Sequence, residues 1–388
     1  MFDIDTTHSP VGASGAERWM NCPGSVRLPG GAWMEPEEAP EYQTRGTAAH
    51  ELAAQCLNSS ADAWEFMGQK ILGVEIDQEI ASGVQVYLDE IKRVRAWAES
   101  ISVPTIELVE AHRIAKDHPL CYGTLDFAAI AGSYAYLRDY KNGAGVTVEV
   151  EGNPQFLYYA YLLLDAYPQI KGIQIGVVQP NAFHPDGPVR VCEVSAPEVL
   201  RWARNEMLPA LAKAVSEAAE LELLPGEWCR FCPKKLGCPV LHGLYKTAAT
   251  TDVEKLPQLD TPALGRDYAL LPQVKQYIKA VEDEIFRRLN SGEKCEDAKL
   301  VYKKTDRVWK PDAESVFIAA LGDKAFSQPT LLSPAQMEKA GPDAKDLVRE
   351  YAYTPVAGLT VALRTDKRSE VTVRTSTEVF GEAAKEFT

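Results

Sequence analysis

The chain has 388 residues, 46% hydrophobic and 25% charged, with a mean hydropathy of −0.21 and a formal net charge of −14. That length is too great for one ordinary domain and enough for two. The absence of a long apolar run, and of a basic segment followed by an apolar core after Met1, argues against a membrane span or signal peptide and predicts a soluble, cytoplasmic chain. A charge of −14 excludes attraction of nucleic acid by the molecule as a whole, because phosphate contacts dominate such affinity. Any such contact has to be local.

The chain opens on a loop and the segment Arg18-Trp19-Met20-Asn21-Cys22-Pro23-Gly24-Ser25. Arg45 to Ala53 reads as a helix that carries His50, with its neighbour Glu51 facing elsewhere. A long helix is predicted from about Gln78 to Ser100, where Ile80, Val84, Tyr87, Leu88, Ile91 and Val94 form one stripe. Strands follow near 105–113, 122–130 and 134–141, the last two joined by a turn at Gly132-Ser133. Pro154 to Tyr167 reads as a helix, and Gly172 to Gln179 as a buried strand, mostly apolar along its length. A helix is predicted from Ala196 to about Glu222, ahead of a cysteine cluster.

Thr247 to Thr261 is polar and reads as a linker. A helix then runs from about Pro262 to Asn290, with Pro272 expected to kink or restart it. A strand-like piece at Lys299–Trp309, short helices near Ala313–Leu321 and Pro334–Ala340, and a polar tail from Val356 complete the chain. The resulting division is a first domain over 1–245, a linker over 246–261, and a C-terminal accessory region over 262–388 of α+β character. The expected fold is α/β, a mixed sheet flanked by helices.

Residues 123 to 159 carry the chemistry. Gly123-Thr124-Leu125-Asp126 is expected to close a short strand with its Asp, and Asp139-Tyr140-Lys141 ends the next. Residues i and i+2 of a strand share a face, so Asp139 and Lys141 point the same way and Asp126 can converge on them. Two carboxylates in one site favour a cation between them, and oxygen ligands suit Mg²⁺ or Mn²⁺. A lysine beside them can orient or deprotonate a water, or neutralise charge building on a phosphate. Gln155 and Tyr159 are four apart and share a helical face. Glu110, at the end of the apolar run from Ile106 to Val109, is a candidate accessory carboxylate.

The series G-T-x-D, D-Y-K and Q-x-x-x-Y, with His50 on an upstream helix, resembles the RecB-like branch of the PD-(D/E)XK nucleases. The resemblance implies a restriction-endonuclease-like core and Mg²⁺- or Mn²⁺-dependent DNA cleavage. It assigns His50, Asp126, Asp139 and the backbone carbonyl of Tyr140 as metal ligands. Lys141 becomes the catalytic lysine, and Gln155 and Tyr159 contact DNA or brace the site. The layout is similar to a phage- and prophage-borne family of such nucleases. Exonucleolytic resection of DNA ends for recombination and repair, leaving 5′ phosphates, is the implied activity. A single-strand annealing protein and a homo-oligomer are the implied partners. The alternatives are a non-catalytic DNA-binding or scaffold protein on the same fold, and an RNA or structure-specific nuclease.

There are eight cysteines. In a reducing compartment, clustered cysteines favour metal over disulfide. Cys229, Cys232 and Cys238 form such a cluster, with Trp228 and Phe231 expected to shield it, and Cys22 is the best fourth ligand. One distant and three clustered cysteines around nuclease motifs resemble the iron–sulfur nucleases, among them the CRISPR-adaptation exonucleases and the AddB subunit of helicase–nucleases. The resemblance implies a [4Fe–4S] staple joining the two ends of the nuclease domain, and the same thiolates would fit Zn²⁺. Cys56, Cys121, Cys192 and Cys295 read as small buried hydrophobes. Candidate DNA contacts are Arg45, Lys171, Lys299, Lys303, Lys304, Arg307 and Lys310.

Overall fold

The computed structural model describes residues 9–28, 41–101, 103–217, 222–250, 260–290 and 292–299. The strand predicted from Lys299, the two short helices and the tail lie outside the described residues, apart from Lys299 itself. In chain order the elements are α1 (Ala16–Asn21), α2 (Glu41–Ser59), a small hairpin of β1 (Lys70–Ile71) and β2 (Val74–Glu75), and α3 (Gln78–Ser100). Then come β3 (Thr105–Ala115), β4 (His118–Ala131), β5 (Tyr134–Tyr140), α4 (Pro154–Ala166), β6 (Gly172–Val178) and β7 (Val189–Ser195). The remaining helices are α5 (Ala196–Trp202), α6 (Leu208–Val215), α7 (Pro239–Thr250) and α8 (Thr261–Asn290). Among the described residues no helix is long and apolar enough to cross a membrane.

Five strands make one mixed sheet in the order β3-β4-β5-β6-β7. Only β5 and β6 are parallel, with α4 as the crossover between them. Helices cover both faces, which is why the central strands read as near-continuous apolar runs. Ala128, Ile130, Leu137, Ile173 and Ile175 pack with α1, α4 and α5 on one side. Phe127, Ala129, Tyr140 and Val178 pack with α2 and α3 on the other.

One rung breaks the alternation. Leu108 and Val109 face opposite sides, yet Ala111 returns to the side of Leu108. On β4, Leu125 likewise lies on the side of Ala128 rather than of Phe127. The pairing register is unchanged across the step, from Val109 opposite Phe127 to Ala111 opposite Leu125. Both strands therefore rotate together at Glu110 and Asp126. Glu110 accommodates the rotation with φ of 44°, a left-handed conformation that costs a non-glycine residue roughly 1–2 kcal/mol.

Local chemistry explains most element ends. Asp77 caps α3 by accepting from Ile80 N–H at 2.9 Å. Gly132 takes φ of 60° in the two-residue turn between β4 and β5. The helix expected over Ala196–Glu222 is shorter and interrupted: α5 passes through a π turn at Ala203–Met207 into α6, which ends at Val215. Pro209 lacks the N–H for one helical hydrogen bond, which accounts for the irregular turn ahead of it. α7 carries helix to Thr250, into the start of the expected linker. α8 passes Pro272 as one helix and packs on α7 and on the cysteine segment. Tyr277 of α8 stacks on His242 at 5.6 Å.

Candidate active site

The residues of the two strand motifs and of the two flanking helices meet at one end of the sheet. Asp126, expected to end its strand, instead lies inside β4, which runs on against β3. β4 and β5 pair only as far as Phe127 opposite Arg138, so the next rung sets Asp126 beside Asp139. The Tyr140 N–H donates to Asp126 Oδ2 at 2.8 Å. His50 reaches across from α2, its Nδ1 3.3 Å from Asp126 Oδ1. Lys141 Nζ stands 2.9 Å from Asp139 Oδ2. The Lys141 ammonium is the charged partner of this buried oxygen. Asp139 as a whole is only 4% exposed.

α4 supplies the next pair. Asn153 caps it by accepting from Gln155 N–H at 2.9 Å, and Pro154 opens its first turn. That start fixes Gln155, whose Nε2 donates to Asp139 Oδ1 at 3.5 Å. Tyr159, one turn on, is buried against Gly123, where a Cβ would stand 3.2 Å from the Tyr159 ring. The glycine of the first motif thus makes room for the tyrosine of the third. Gly123→Ala is expected to push Tyr159 off its position and cost about 1–3 kcal/mol of stability. A thermal melt of the variant, with Tyr159→Phe alongside, checks this.

Beyond Lys141 the path of the chain is held by residues the sequence did not single out. Lys141 N–H donates to Val178 O at 2.9 Å. Gln179 is buried; its Nε2 donates to Gly143 O at 2.9 Å and Val146 O at 2.7 Å. Its Oε1 accepts from Val148 N–H and from Arg190 Nη2. Asn181 Nδ2 donates to Asn142 O at 3.0 Å. Tyr140 is fully buried, its ring 5.4 Å from both His50 and Tyr87, which fixes the peptide bearing the expected carbonyl ligand.

Glu110, His50, Asp126, Tyr140 and Tyr87 line one pocket. The Glu51 carboxylate, expected to face elsewhere, lies close enough to push the Glu110 pKa up, second to burial. Burial pulls the His50 pKa down, but the charge and hydrogen bond of Asp126 outweigh it and the net shift is upward. Burial pushes Asp126 up, and His50, Lys141 and the Tyr140 N–H bring it below its ordinary value. Asp139 ends raised, by burial and by the Asp126 charge, against the pull of Lys141. Burial lowers Lys141, and the two carboxylates more than restore it, so the ammonium is held protonated.

The four cysteines Cys22, Cys229, Cys232 and Cys238 line a second pocket with Arg18 and Trp228. All four are buried. Leu224 N–H points at Cys22 Sγ and Gly226 N–H at Cys229 Sγ, each at 3.4 Å. Arg18 donates to Ser25 Oγ at 2.7 Å, and its charge acts on the Cys22 and Cys232 sulfurs. Burial raises the Cys229 and Cys232 thiols. Trp228 packs on the cluster, but Phe231, also expected to shield it, is 69% exposed. Cys56 and Cys121 are buried as expected, whereas Cys192 is half-buried and Cys295 exposed. Among the described residues no three His, Cys, Asp or Glu side chains already stand at the spacing of a metal-ligand set. The donor chemistry nevertheless fits: four buried thiols around one pocket with N–H groups aimed at sulfur, and, at the sheet, an imidazole and two carboxylates side by side.

A family model described as a protein of unknown function (DUF2800) matches residues 8–369. The chain belongs to this family. The matched range includes both clusters of this DUF2800 protein and its α8. Among the candidate DNA contacts, Arg45 pairs with Asp77 at 2.8 Å and Glu79 at 3.3 Å. Lys171 precedes β6 at the end of the sheet remote from Lys141, about 26 Å along the strands. Lys303, Lys304, Arg307 and Lys310 lie outside the described residues.

Proposed function

We propose that this protein is a metal-dependent deoxyribonuclease of RecB-like PD-(D/E)XK type, cutting from DNA ends. The observation that carries the proposal is the convergence of His50, Asp126, Asp139, Lys141 and Gln155 from α2, from β4 and the end of β5, and from α4. His50, Asp126, Asp139 and the Tyr140 carbonyl would hold Mg²⁺ or Mn²⁺. The ion, when bound, polarises the phosphate and makes a water more acidic.

The protein's own groups do the rest. Lys141, kept protonated by two carboxylates, donates to a phosphate oxygen or to the attacking water rather than removing its proton. Gln155 holds Asp139 in place. Water attacks phosphorus, the 3′ oxygen leaves, and a 5′ phosphate results. The acidic surface turns DNA away except where local cations and the bound ion offset it. The four cysteines would hold a [4Fe–4S] cluster, or Zn²⁺, as a staple between the start of the chain and the segment before α7. A single-strand annealing protein and a second copy of the chain are proposed partners in resection.

The test is digestion of a linear duplex labelled at each 5′ end, beside a closed circle and a labelled RNA, with Mn²⁺. Loss of linear DNA alone supports the proposal and shows polarity. Cutting of RNA only, or no cutting of any substrate, overturns it.

The ionisation of the pair adds a second expectation. The raised His50 value means that its protonated form contributes stability in full below its ordinary value of 6.5, lost as pH rises through the folded value. Asp126, lowered from 3.8, contributes stability above that value and loses it as pH falls through the folded one. An ion at His50 has to displace the imidazole proton. Mn²⁺ affinity is therefore expected to rise with pH up to the raised folded value of His50 and to level off above it, with release of about one proton below that value. Calorimetric titration in buffers of different ionisation enthalpy measures this, and His50→Gln should flatten the dependence.

A further inference from the structure

We propose that the Tyr87 hydroxyl is part of the same site, donating a hydrogen bond to water held in the divalent-ion position beside Asp126; this rests on the metal-dependent reading above. Tyr87 lies on α3 in an apolar stripe, where a phenylalanine would pack as well. It is 1% exposed, and among the described residues its hydroxyl has no hydrogen-bond partner. A buried hydroxyl left unpaired is costly, and a buried tyrosine ordinarily finds an acceptor. Its surroundings are specific. Tyr87 lines the pocket formed by His50, Glu110 and Asp126.

The ring is also held in place. It lies 5.4 Å from the Tyr140 ring, and Gly83, one turn earlier on α3, permits that approach: a Cβ there would stand 2.9 Å from the Tyr140 hydroxyl. A phenol is protonated at neutral pH, so the hydroxyl is available as a donor. The Asp126 oxygens already accept from His50 and from the Tyr140 N–H. With no protein acceptor in place among the described residues, water on an ion held by Asp126 would supply one.

Tyr87→Phe removes that one hydroxyl. Thermal melting should be unchanged or higher, since an unsatisfied group is lost from the metal-free protein. Mn²⁺ affinity, titrated calorimetrically without DNA, should fall on the order of tenfold. Affinity within twofold of the parent would overturn the inference, whatever happens to cleavage. A parent protein that binds no Mn²⁺ would instead overturn the metal site itself, and with it this role for Tyr87.

Discussion

Lys141→Ala should slow Mn²⁺-dependent DNA cleavage by about 100- to 10,000-fold while leaving the fold intact. Lys141 is the only ammonium recorded within ion-pair distance of Asp139 among the described residues, and its backbone is fixed independently through Val178 O. Removing the side chain therefore deletes a charge without releasing the strand end. It also leaves Asp126 and Asp139 without that counter-charge, so Mn²⁺ should bind as tightly or tighter. Asp126→Asn should behave differently. It weakens the pairing of His50 and the acceptor for Tyr140 N–H, and both ion binding and cleavage should fall. Single-turnover rates beside Mn²⁺ titrations separate the two variants. Full cleavage by Lys141→Ala would remove the lysine from the chemistry.

The second large effect concerns the cysteines. Cys22 and Leu224 meet across 202 residues of chain, so a metal joining Cys22 to the downstream thiols closes a very long loop. A cross-link of that length is worth about 5 kcal/mol in the chain-entropy picture. Cys22→Ala and Cys229→Ala should each lose the bound metal and lower the melting temperature by a similar large step. Cys295→Ala, at an exposed thiol, should change neither. Iron, acid-labile sulfide and zinc contents of anaerobically purified protein, with melts of the three variants, give the answer. Stoichiometric zinc without sulfide would replace the cluster by a zinc staple; equal metal content in Cys22→Ala would remove the staple.

Much of this arrangement is legible in the sequence because the strongest signals are local. The apolar runs that become β4, β5 and β6 are buried on both faces, and the turn at Gly132-Ser133 separates the first two plainly. Spacing alone put Asp139 with Lys141 and Gln155 with Tyr159. The edge strand β7 was missed because its half-exposed residues alternate weakly after a proline-containing loop. The π turn ahead of Pro209 interrupts a helix whose periodicity runs on. Tyr87 looked like one more member of an apolar stripe, and only three dimensions reveal that its hydroxyl lacks a partner. The rotation at Glu110 and Asp126 is equally invisible in one dimension, since neither residue is a glycine. Gln179 escaped notice because its work is tertiary, joining β6 to the loop after Lys141.

The most direct measurement is the fate of a 5′-labelled linear duplex incubated with protein stripped by EDTA, before and after Mn²⁺ is restored. An intact strand is expected without the ion, and progressive shortening to products bearing 5′ phosphates once it returns. Shortening that proceeds equally without the ion, or a strand that stays intact with it, would contradict a metal-dependent site at His50, Asp126 and Asp139.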